Sequence, residues 1–100
     1  NIKLVNEDAL KYLKNRNERI DFLYLDVDSP SSRKAIYKKL LEIALPNMNS
    51  GGLIVAHDPC VELFVDDFKS YHTYIEKSPQ LTNPVILPID SCGLSITKFL

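Results

Sequence analysis

The stretch Ile20–Pro30, IDFLYLDVDSP, decides how the rest of the chain is interpreted. Its apolar run, Ile20 followed by Phe22–Leu25, includes two aromatic residues of the kind that favour strands. Because the run lacks polar alternation, it predicts a strand buried on both faces, as in a parallel sheet covered by helices. Asp26 and Asp28 follow at once, and open α/β sheets bind ligands at the carboxyl ends of their strands. The stretch therefore predicts a central strand with a functional tip.

The composition is that of an ordinary globular domain covering residues 1–100. Hydrophobic residues make up 45% and charged residues 25%, and the net charge is −1 without a basic cluster. This charge gives no electrostatic argument for a nucleic-acid partner or an acidic membrane surface. No apolar stretch approaches membrane-spanning length and no secretory signal pattern opens the chain, so we expect a cytoplasmic protein. Cys60 and Cys92 are too few for a disulfide framework or a zinc motif and are expected to be free.

Strand-like and helix-like segments alternate along the chain. The first helix is expected to be capped by Asn6, the second by Ser31 or Ser32, and the third to open at Asp58-Pro59. The apolar residues that give these three helices their periodicity are Ala9, Leu10 and Leu13; Ile36, Leu40 and Ile43; and Val61, Phe64, Val65, Phe68, Tyr71 and Ile75. The predicted strands are Ile2–Val5, Ile20–Leu25, Leu53–Ala56, Val85–Ile89 and Leu94–Phe99.

The resulting order is β-α-β-α-β-α-β-β. Alternating strands and helices predict right-handed crossovers and a mostly parallel sheet, and the last two strands form an antiparallel hairpin. Pro88 lacks a backbone donor, so the first strand of this hairpin is expected at an edge of the sheet.

Four segments together resemble the carboxyl-terminal half of class I S-adenosylmethionine-dependent methyltransferases, and they read NEDALKYLK, DFLYLDVD, LPNMNSGGLIVAHD and GLSITKF. The nearest branch is that of the metal-dependent O-methyltransferases, which includes the catechol, caffeoyl-CoA and macrocin-type enzymes. The resemblance implies a three-layer, Rossmann-like α/β fold that ends in an antiparallel hairpin and lacks the first two strands. It also implies methyl transfer from S-adenosylmethionine to an oxygen of a small acceptor molecule.

The resemblance also implies that part of the cofactor site is missing. The glycine-rich loop and the acidic residue for the ribose hydroxyls would precede Asn1, and Gly51, Gly52 and Gly93 do not form a nucleotide loop. We therefore expect residues 1–100 to be a partial methyltransferase-like domain that is inactive alone. In the family, two strands separate the first strand of this chain from the next. It must pair directly with that strand, remain unpaired, or leave a gap that a homo-oligomer or second chain completes.

Three residues at the predicted strand tips are candidate metal ligands. The resemblance implies that Asp26, His57 and Asp58 hold a magnesium ion that binds and activates the acceptor hydroxyl, with Asp26 as a catalytic residue. Histidine is a softer ligand than the usual carboxylate, so manganese or iron remains open. In the competing interpretation Asp58 caps the helix that begins at Pro59, and His57 is a hydrogen-bonded residue at the strand end.

The resemblance implies that Asp8 meets the adenine amino group of the cofactor and that the amide of Ala9 lies beside it. The competing interpretation makes Asp8 a favourable charge in the first turn of a helix. Ser29 stands where several family members carry a catalytic lysine, and a turn is its simpler interpretation. Asp66 and Asp67 are expected on a solvated helix face and His72 on the surface.

Two other functions fit parts of the sequence. Haloacid-dehalogenase-like phosphatases begin with an apolar strand and an Asp-x-Asp pair like Asp26 and Asp28, although Pro30 replaces their threonine. Response-regulator receivers pair an acidic couple with a phosphoacceptor but need an intervening strand that is absent here. A non-catalytic α/β binding or dimerisation module remains a further alternative.

Overall fold

Three helices and four strands alternate in the computed structural model, which describes residues 1–100. The helices are α1 (Ala9–Lys14), α2 (Ile36–Ala44) and α3 (Val65–Glu76). The strands are β1 (Ile20–Leu25), β2 (Met48–His57), β3 (Val85–Leu87) and β4 (Leu94–Lys98). Short 3₁₀ turns occupy Leu45–Asn47, Glu62–Phe64 and Ile89–Ser91. The predicted α/β alternation is confirmed from α1 to β4.

The four strands form one mixed sheet in the order β1-β2-β4-β3. β1 and β2 are parallel, whereas β4 lies between β2 and β3 and is antiparallel to both. The terminal hairpin and the edge position of the strand before Pro88 are therefore confirmed. The parallel register aligns Leu25 with Ala56, so the carboxyl ends of β1 and β2 lie side by side. This register positions the candidate site.

One core joins all three helices to a single face of the sheet. Leu25, Ile54 and Ala56 from the sheet belong to it, with α1 packed at its margin. Three aromatic rings at its centre meet edge to face with centroids 5.6–6.0 Å apart, an arrangement that adds to the free energy of area burial. These rings belong to Tyr37, Phe68 and Tyr71.

The opposite face of the sheet is apolar and no helix of the chain covers it. Phe22 and Tyr24 project there and are 59% and 49% exposed, and their register partners Leu53 and Val55 continue the same face. The prediction that both faces of β1 are buried is therefore wrong for this chain. A continuous apolar run shows that the side chains on both faces of the strand are apolar, but it does not identify which part of the chain, or which other chain, covers each face.

The predicted strand Ile2–Val5 is not formed. Ile2 and Leu4 are 89% and 92% exposed, and the segment makes no ladder with β1, which is an edge strand. A strand without a hydrogen-bonding neighbour has no ladder to stabilise it. β2 is also longer than predicted, because Gly51 and Gly52 exchange backbone hydrogen bonds with Phe99.

The helix starts differ from those predicted. Asp8, not Asn6, caps α1 by accepting a 3.0 Å hydrogen bond from the amide of Lys11. This role replaces the interpretation of Asp8 as a first-turn charge. Neither Ser31 nor Ser32 caps α2, which begins without a side-chain cap after a turn.

Candidate active site

The two strand tips bring together the three residues predicted to share a metal. The Nδ1 atom of His57 lies 3.5 Å from Oδ1 of Asp26 and 3.3 Å from Oδ1 of Asp58. Because β1 and β2 are parallel neighbours, side chains just beyond their ends reach the same edge of the sheet. The sequence pattern correctly indicates this juxtaposition.

The backbone of Asp58 explains how two consecutive side chains meet on one side. Its φ of 84° is in the left-handed region, which non-glycine residues rarely adopt, whereas successive residues of a regular strand point to opposite faces. The Asp58 amide donates a 3.1 Å hydrogen bond to the carbonyl of Gly93, which fixes this turn. The capping interpretation of Asp58 is wrong, because a 3₁₀ turn separates it from α3 and neither start has a side-chain cap.

Lys34 is the buried cation of this site and is absent from the residues predicted from the sequence. Its side chain is only 4% exposed, and Nζ lies 3.2 Å from Oδ2 of Asp58. The same ammonium is 3.8 Å from Oδ1 of Asp26 and 3.9 Å from Oδ1 of Asp28, and it donates a 2.9 Å hydrogen bond to the carbonyl of Val27. Lys34 therefore ties both strand tips together. It follows two serines and an arginine before α2, a context that looks like a solvated turn, so no sequence signal marks it.

Aromatic rings complete the surroundings of Lys34. Nζ lies 5.2 Å from the ring centroid of Tyr37 and 5.5 Å from that of Phe64, within cation–π range. Burial alone lowers the pKa of Lys34, but Tyr37 and the carboxylates of Asp58 and Asp28 outweigh it and raise the pKa above its ordinary value. Lys34 is thus a fixed positive charge at neutral pH and not a general base.

Tyr37 supports the site from within the core. Its hydroxyl donates a 3.3 Å hydrogen bond to the carbonyl of His57 at the end of β2. Burial raises the pKa of Tyr37 to about 12, although Lys34 opposes the shift. The phenol therefore stays protonated and acts as a hydrogen-bond donor.

Asp90 holds the other side of the histidine ring. Its Oδ2 lies 3.4 Å from Nε2 of His57, while its Oδ1 accepts hydrogen bonds from the amides of Cys92 (3.1 Å) and Gly93 (3.3 Å). These amides, the Cys92 amide first, lower the pKa of Asp90. Asp90 and Ser91 both have left-handed φ values, 51° and 62°, which form the tight turn before β4. The Asp-Ser-Cys-Gly sequence signals such a turn, but not its contact with His57.

Cys92 brings a thiol to the same place. Ligand atoms of His57, Asp58 and Cys92 all lie within 4.8 Å of one another. The amide of Cys60 donates a 2.8 Å hydrogen bond to the carbonyl of Cys92, and both thiols are free, as predicted. Burial, followed by the charges of Asp58 and Asp90, raises the pKa of the Cys92 thiol.

The donor set fits a divalent ion, although not one of the hardest type. Asp26 and Asp58 offer the oxygen ligands that magnesium prefers, but His57 adds nitrogen and Lys34 already neutralises part of the carboxylate charge. Nitrogen and sulfur donors favour transition metals over magnesium. The residues present therefore fit manganese, iron or zinc better than magnesium.

The two predicted cofactor residues lie at a separate groove. Ala9 lines an open, largely apolar groove of about 410 Å³ between α1 and β1, with Tyr24 and Leu25 on its other wall. Asp8 stands at the helix start beside it and uses Oδ2 for capping, which leaves Oδ1 available. Tyr24 lines this groove and stands two residues before Asp26, so the groove and the carboxylate cluster adjoin. Burial and then the charge of Asp26 raise the pKa of Tyr24.

Other predicted surface residues are less exposed than expected. Ser29 forms a turn closed by backbone bonds to Arg33, as predicted. His72 is half-buried, with Nε2 2.7 Å from Oγ of Ser95, so its placement on the surface is wrong. Asp67 is also mostly covered, at 13% side-chain exposure, and faces Arg33 at 3.9 Å. Asp67 and His72 both border the face of α3 that packs against the core.

Comparison with known proteins identifies the fold. No protein-family model and no curated protein matches the chain. Solved structures do match it: an assigned O-methyltransferase of Klebsiella pneumoniae is 18% identical with a TM-score of 0.71, over 92% of this chain and 46% of that one. The O-methyltransferase of Bacillus cereus in complex with SAH is 16% identical, with a TM-score of 0.68 and the same coverage. TomG of Streptomyces achromogenes, an O-methyltransferase of tomaymycin synthesis in complex with SAM, is 14% identical with a TM-score of 0.72, over 92% and 47%.

These likenesses show that the chain has the fold of the carboxyl-terminal half of class I methyltransferases, as the sequence predicts. The chain spans about half the length of each matched structure. The structural matches give no support to the two alternative functions, a haloacid-dehalogenase-like phosphatase and a non-catalytic binding module. None of the helices is long and apolar enough to cross a membrane.

Proposed function

We propose that the chain forms the acceptor-side half of an S-adenosylmethionine-dependent methyltransferase that methylates an oxygen of a small molecule. The observation that carries this proposal is the meeting of Asp26 with His57 and Asp58 at the carboxyl edge of a methyltransferase-like sheet. Fold alone does not define an activity, so the site must support it. The matched proteins bound to SAH or SAM make this cofactor the natural candidate.

In this proposal Asp26, His57 and Asp58 hold a divalent ion and position the acceptor. When bound, such an ion lowers the pKa of a coordinated hydroxyl and orients its oxygen. Asp26 is the catalytic residue in our proposal, because its 44% exposed side chain can contact the acceptor directly. Lys34 holds the carboxylates of Asp26 and Asp58 in place and limits their mutual repulsion. Ser29 cannot serve as a base, so the proton of the acceptor would leave to Asp26 or to water.

The groove beside α1 is our proposed site for the adenine end of the cofactor. Its apolar walls, which include Tyr24 and Leu25, suit a flat aromatic base, and most ligand pockets combine such walls with a few polar groups. The free Oδ1 of Asp8 can accept from the adenine amino group, and the Ala9 amide can donate to a ring nitrogen. The three glycines lie within β2 or at the turn before β4, so they do not form a phosphate-type or methionine-binding loop.

Residues outside these hundred would therefore supply the rest of the cofactor site, either on the same polypeptide or on a second chain. The uncovered sheet face with Phe22 and Tyr24, together with the free edge of β1, is where a second copy or another chain would pack. We place the protein in the cytoplasm, where two free cysteines persist in reduced form. By this proposal residues 1–100 are a partial methyltransferase domain.

Titration of the isotope-labelled chain with S-adenosylhomocysteine, read by amide NMR shifts, tests this proposal. We expect the amides of Ala9 and Tyr24 to shift with a weak dissociation constant of about 1 mM, because only the adenosine end is contacted. Asp8→Asn is the matched variant: its amide oxygen still caps α1, but its NH₂ group faces the adenine amino group and weakens binding.

Two results would contradict the proposal. Unchanged groove amides at a saturating ligand concentration would remove the adenosine site. Tight binding of S-adenosylhomocysteine, together with methyl transfer from added S-adenosylmethionine to catechol by the chain alone, would show that the half-site description is wrong.

A further inference from the structure

We propose that His57, Asp58 and Cys92 bind one transition-metal ion of the zinc type, with an oxygen from water or a substrate in the fourth position. This ligand set differs from the one implied by the methyltransferase resemblance, because it uses a thiol from the turn before β4 and leaves out Asp26. It deepens the proposed function, on which it rests for an ion at His57 and Asp58, and it makes Cys92 the third ligand in place of Asp26.

The spacing of two ligands already fits a tetrahedral ion. Nδ1 of His57 and Oδ1 of Asp58 are 3.3 Å apart. Two ligands that each lie about 2.0–2.1 Å from one zinc ion are separated by roughly 3.3–3.4 Å in tetrahedral geometry. The Cys92 sulfur lies within 4.8 Å of these atoms, and a tetrahedral zinc site needs a nitrogen–sulfur spacing of roughly 3.6 Å.

The backbone holds these ligands in an unusual way. Asp58 adopts a left-handed φ of 84°, and the two residues before Cys92 adopt values of 51° and 62°. Backbone strain of this kind, held by surrounding structure, is concentrated at functional positions. The Asp58 amide bonds to the carbonyl of Gly93, so the two ligand-bearing turns are joined directly.

Asp90 provides the outer support that metal-binding histidines commonly have. Its Oδ2 lies 3.4 Å from Nε2 of His57 and is in position to accept the proton on that nitrogen. This contact leaves the lone pair of Nδ1 facing Asp58 and the proposed ion, which is the carboxylate–histidine–metal arrangement. The amides of Cys92 and Gly93 fix Asp90 in turn, so the same turn supplies a ligand and an orienting carboxylate.

Lys34 divides the carboxylates between two sides of the site. Its ammonium faces Asp26, Asp28 and Oδ2 of Asp58, whereas Oδ1 of Asp58 faces His57. A second cation is repelled from the lysine side, so the histidine–thiol side is where it binds. The donors there are nitrogen, oxygen and sulfur, a set that favours zinc, cobalt or iron over magnesium. Cysteine spacing does not reveal this site, because its ligands come from two separate turns.

Cobalt and zinc titrations of the reduced chain test the proposal. We expect one ion per chain, with tetrahedral visible bands and a thiolate-to-cobalt charge-transfer band in the ultraviolet. Cys92→Ser should abolish that band and weaken zinc binding, measured by calorimetry, by more than about 100-fold, and Asp90→Asn should weaken it about 10–100-fold. Cys60→Ser is the matched control for a neighbouring thiol and should retain the band. Asp26→Asn separates the two ligand sets: zinc affinity and the band are kept if Cys92 is the third ligand, and zinc affinity falls if Asp26 is.

Several outcomes would overturn the proposal. These are a cobalt band that persists in Cys92→Ser, a band lost in Cys60→Ser, a loss in Asp26→Asn equal to that in Cys92→Ser, or no zinc binding by the folded chain. If Cys92→Ser does not fold, alkylation of the natural chain decides instead. Zinc should protect Cys92 but not the exposed Cys60, and equal protection would contradict the ligand assignment. Adenosine-groove shifts are measured separately, so failure here leaves the adenosine site of the proposed function standing.

Discussion

Replacing Lys34 by methionine tests whether a buried ammonium stabilises the joined strand tips. Methionine keeps the length and the apolar stem of the side chain, and it can still pack against Tyr37 and Phe64. The substitution removes the ammonium group that faces three carboxylates and that donates a hydrogen bond to the Val27 carbonyl. We expect a large loss of stability with little change in core volume.

The magnitude follows from the exposure of each partner. Breaking a fully buried ion pair costs about 3–5 kcal/mol. Asp28 and Asp26 are 66% and 44% exposed, so water screens them and each contributes less than about 1 kcal/mol. Asp58, at 15% exposure, is the shielded partner and contributes most, and the unpaired Val27 carbonyl adds about 1–3 kcal/mol. Retained packing offsets part of this cost, so we expect a loss of about 3 kcal/mol in the free energy of unfolding.

Urea unfolding at neutral pH measures this loss, with Lys38→Met as the matched control. Lys38 has a 44% exposed side chain and a 3.9 Å contact with Glu42 on the same helix, so its replacement should cost less than about 0.5 kcal/mol. Because the folded-state pKa of Lys34 is raised, its contribution is fully present below the ordinary lysine pKa of about 10.4 and is lost only as pH rises through the folded value. A loss no larger than that of Lys38→Met would refute the reasoning.

Three further predictions concern other parts of the fold. Burial lowers the pKa of His72, so the unfolded chain binds more protons than the folded chain in mild acid, and the free energy of unfolding should fall as the pH drops below about 6.5. In urea unfolding, His72→Gln should make the free energy less dependent on pH in this range. An unchanged pH dependence would exclude His72 as its source. Gly51→Ala should cost about 1–2 kcal/mol in urea unfolding for its φ of 84° alone. Gly93→Ala should cost more, because its φ is 83° and the added Cβ would lie 2.5 Å from Sγ of Cys60; equal losses would contradict the contact. Phe22→Lys should convert associated species to monomer in a sedimentation experiment, because it places a charge on the uncovered apolar face of the sheet. Phe22 is 59% exposed, so the free energy of unfolding should change by less than about 0.5 kcal/mol. If the natural chain is already monomeric, the expectation that this face packs against another chain is contradicted.

The fold was largely predictable because local patterns and sheet topology agree. The helical periodicity of α2 and α3, the apolar run of β1 and the proline before the last turn each predict what is observed. The absence of the predicted strand Ile2–Val5 was not predictable from its sequence. Strand propensity is a property of the segment alone, whereas a strand forms only beside a neighbour with free backbone donors and acceptors. The exposure of Phe22 was not predictable for a similar reason, because an apolar strand sequence does not specify which element packs against each of its faces.

The site was predictable only in part. Asp26, His57 and Asp58 follow apolar runs, and the parallel register of β1 and β2 is enough to bring them together. Lys34 and Asp90 reach the same place from loops, and their positions depend on backbone turns with left-handed residues rather than on periodicity. Local propensity does not determine such turns, because their strain is stabilised by tertiary contacts.

In the zinc-type site that we propose, the two charges around His57 favour one kind of cation over another. Lys34 is an immobile, buried positive charge whose neighbours leave its pKa raised, so it does not exchange with ions from solution. It satisfies the carboxylates on one side but does not neutralise all of them, since Asp90 lies on the far side of the imidazole. The remaining negative charge is therefore displaced toward His57 and Cys92, where donors are soft and the ligand spacing is short. A hard ion such as magnesium would have to replace the ammonium to gain enough oxygen ligands, whereas a zinc-type ion would bind beside it. Removal of Lys34 should thus increase the affinity for magnesium and manganese more than that for zinc.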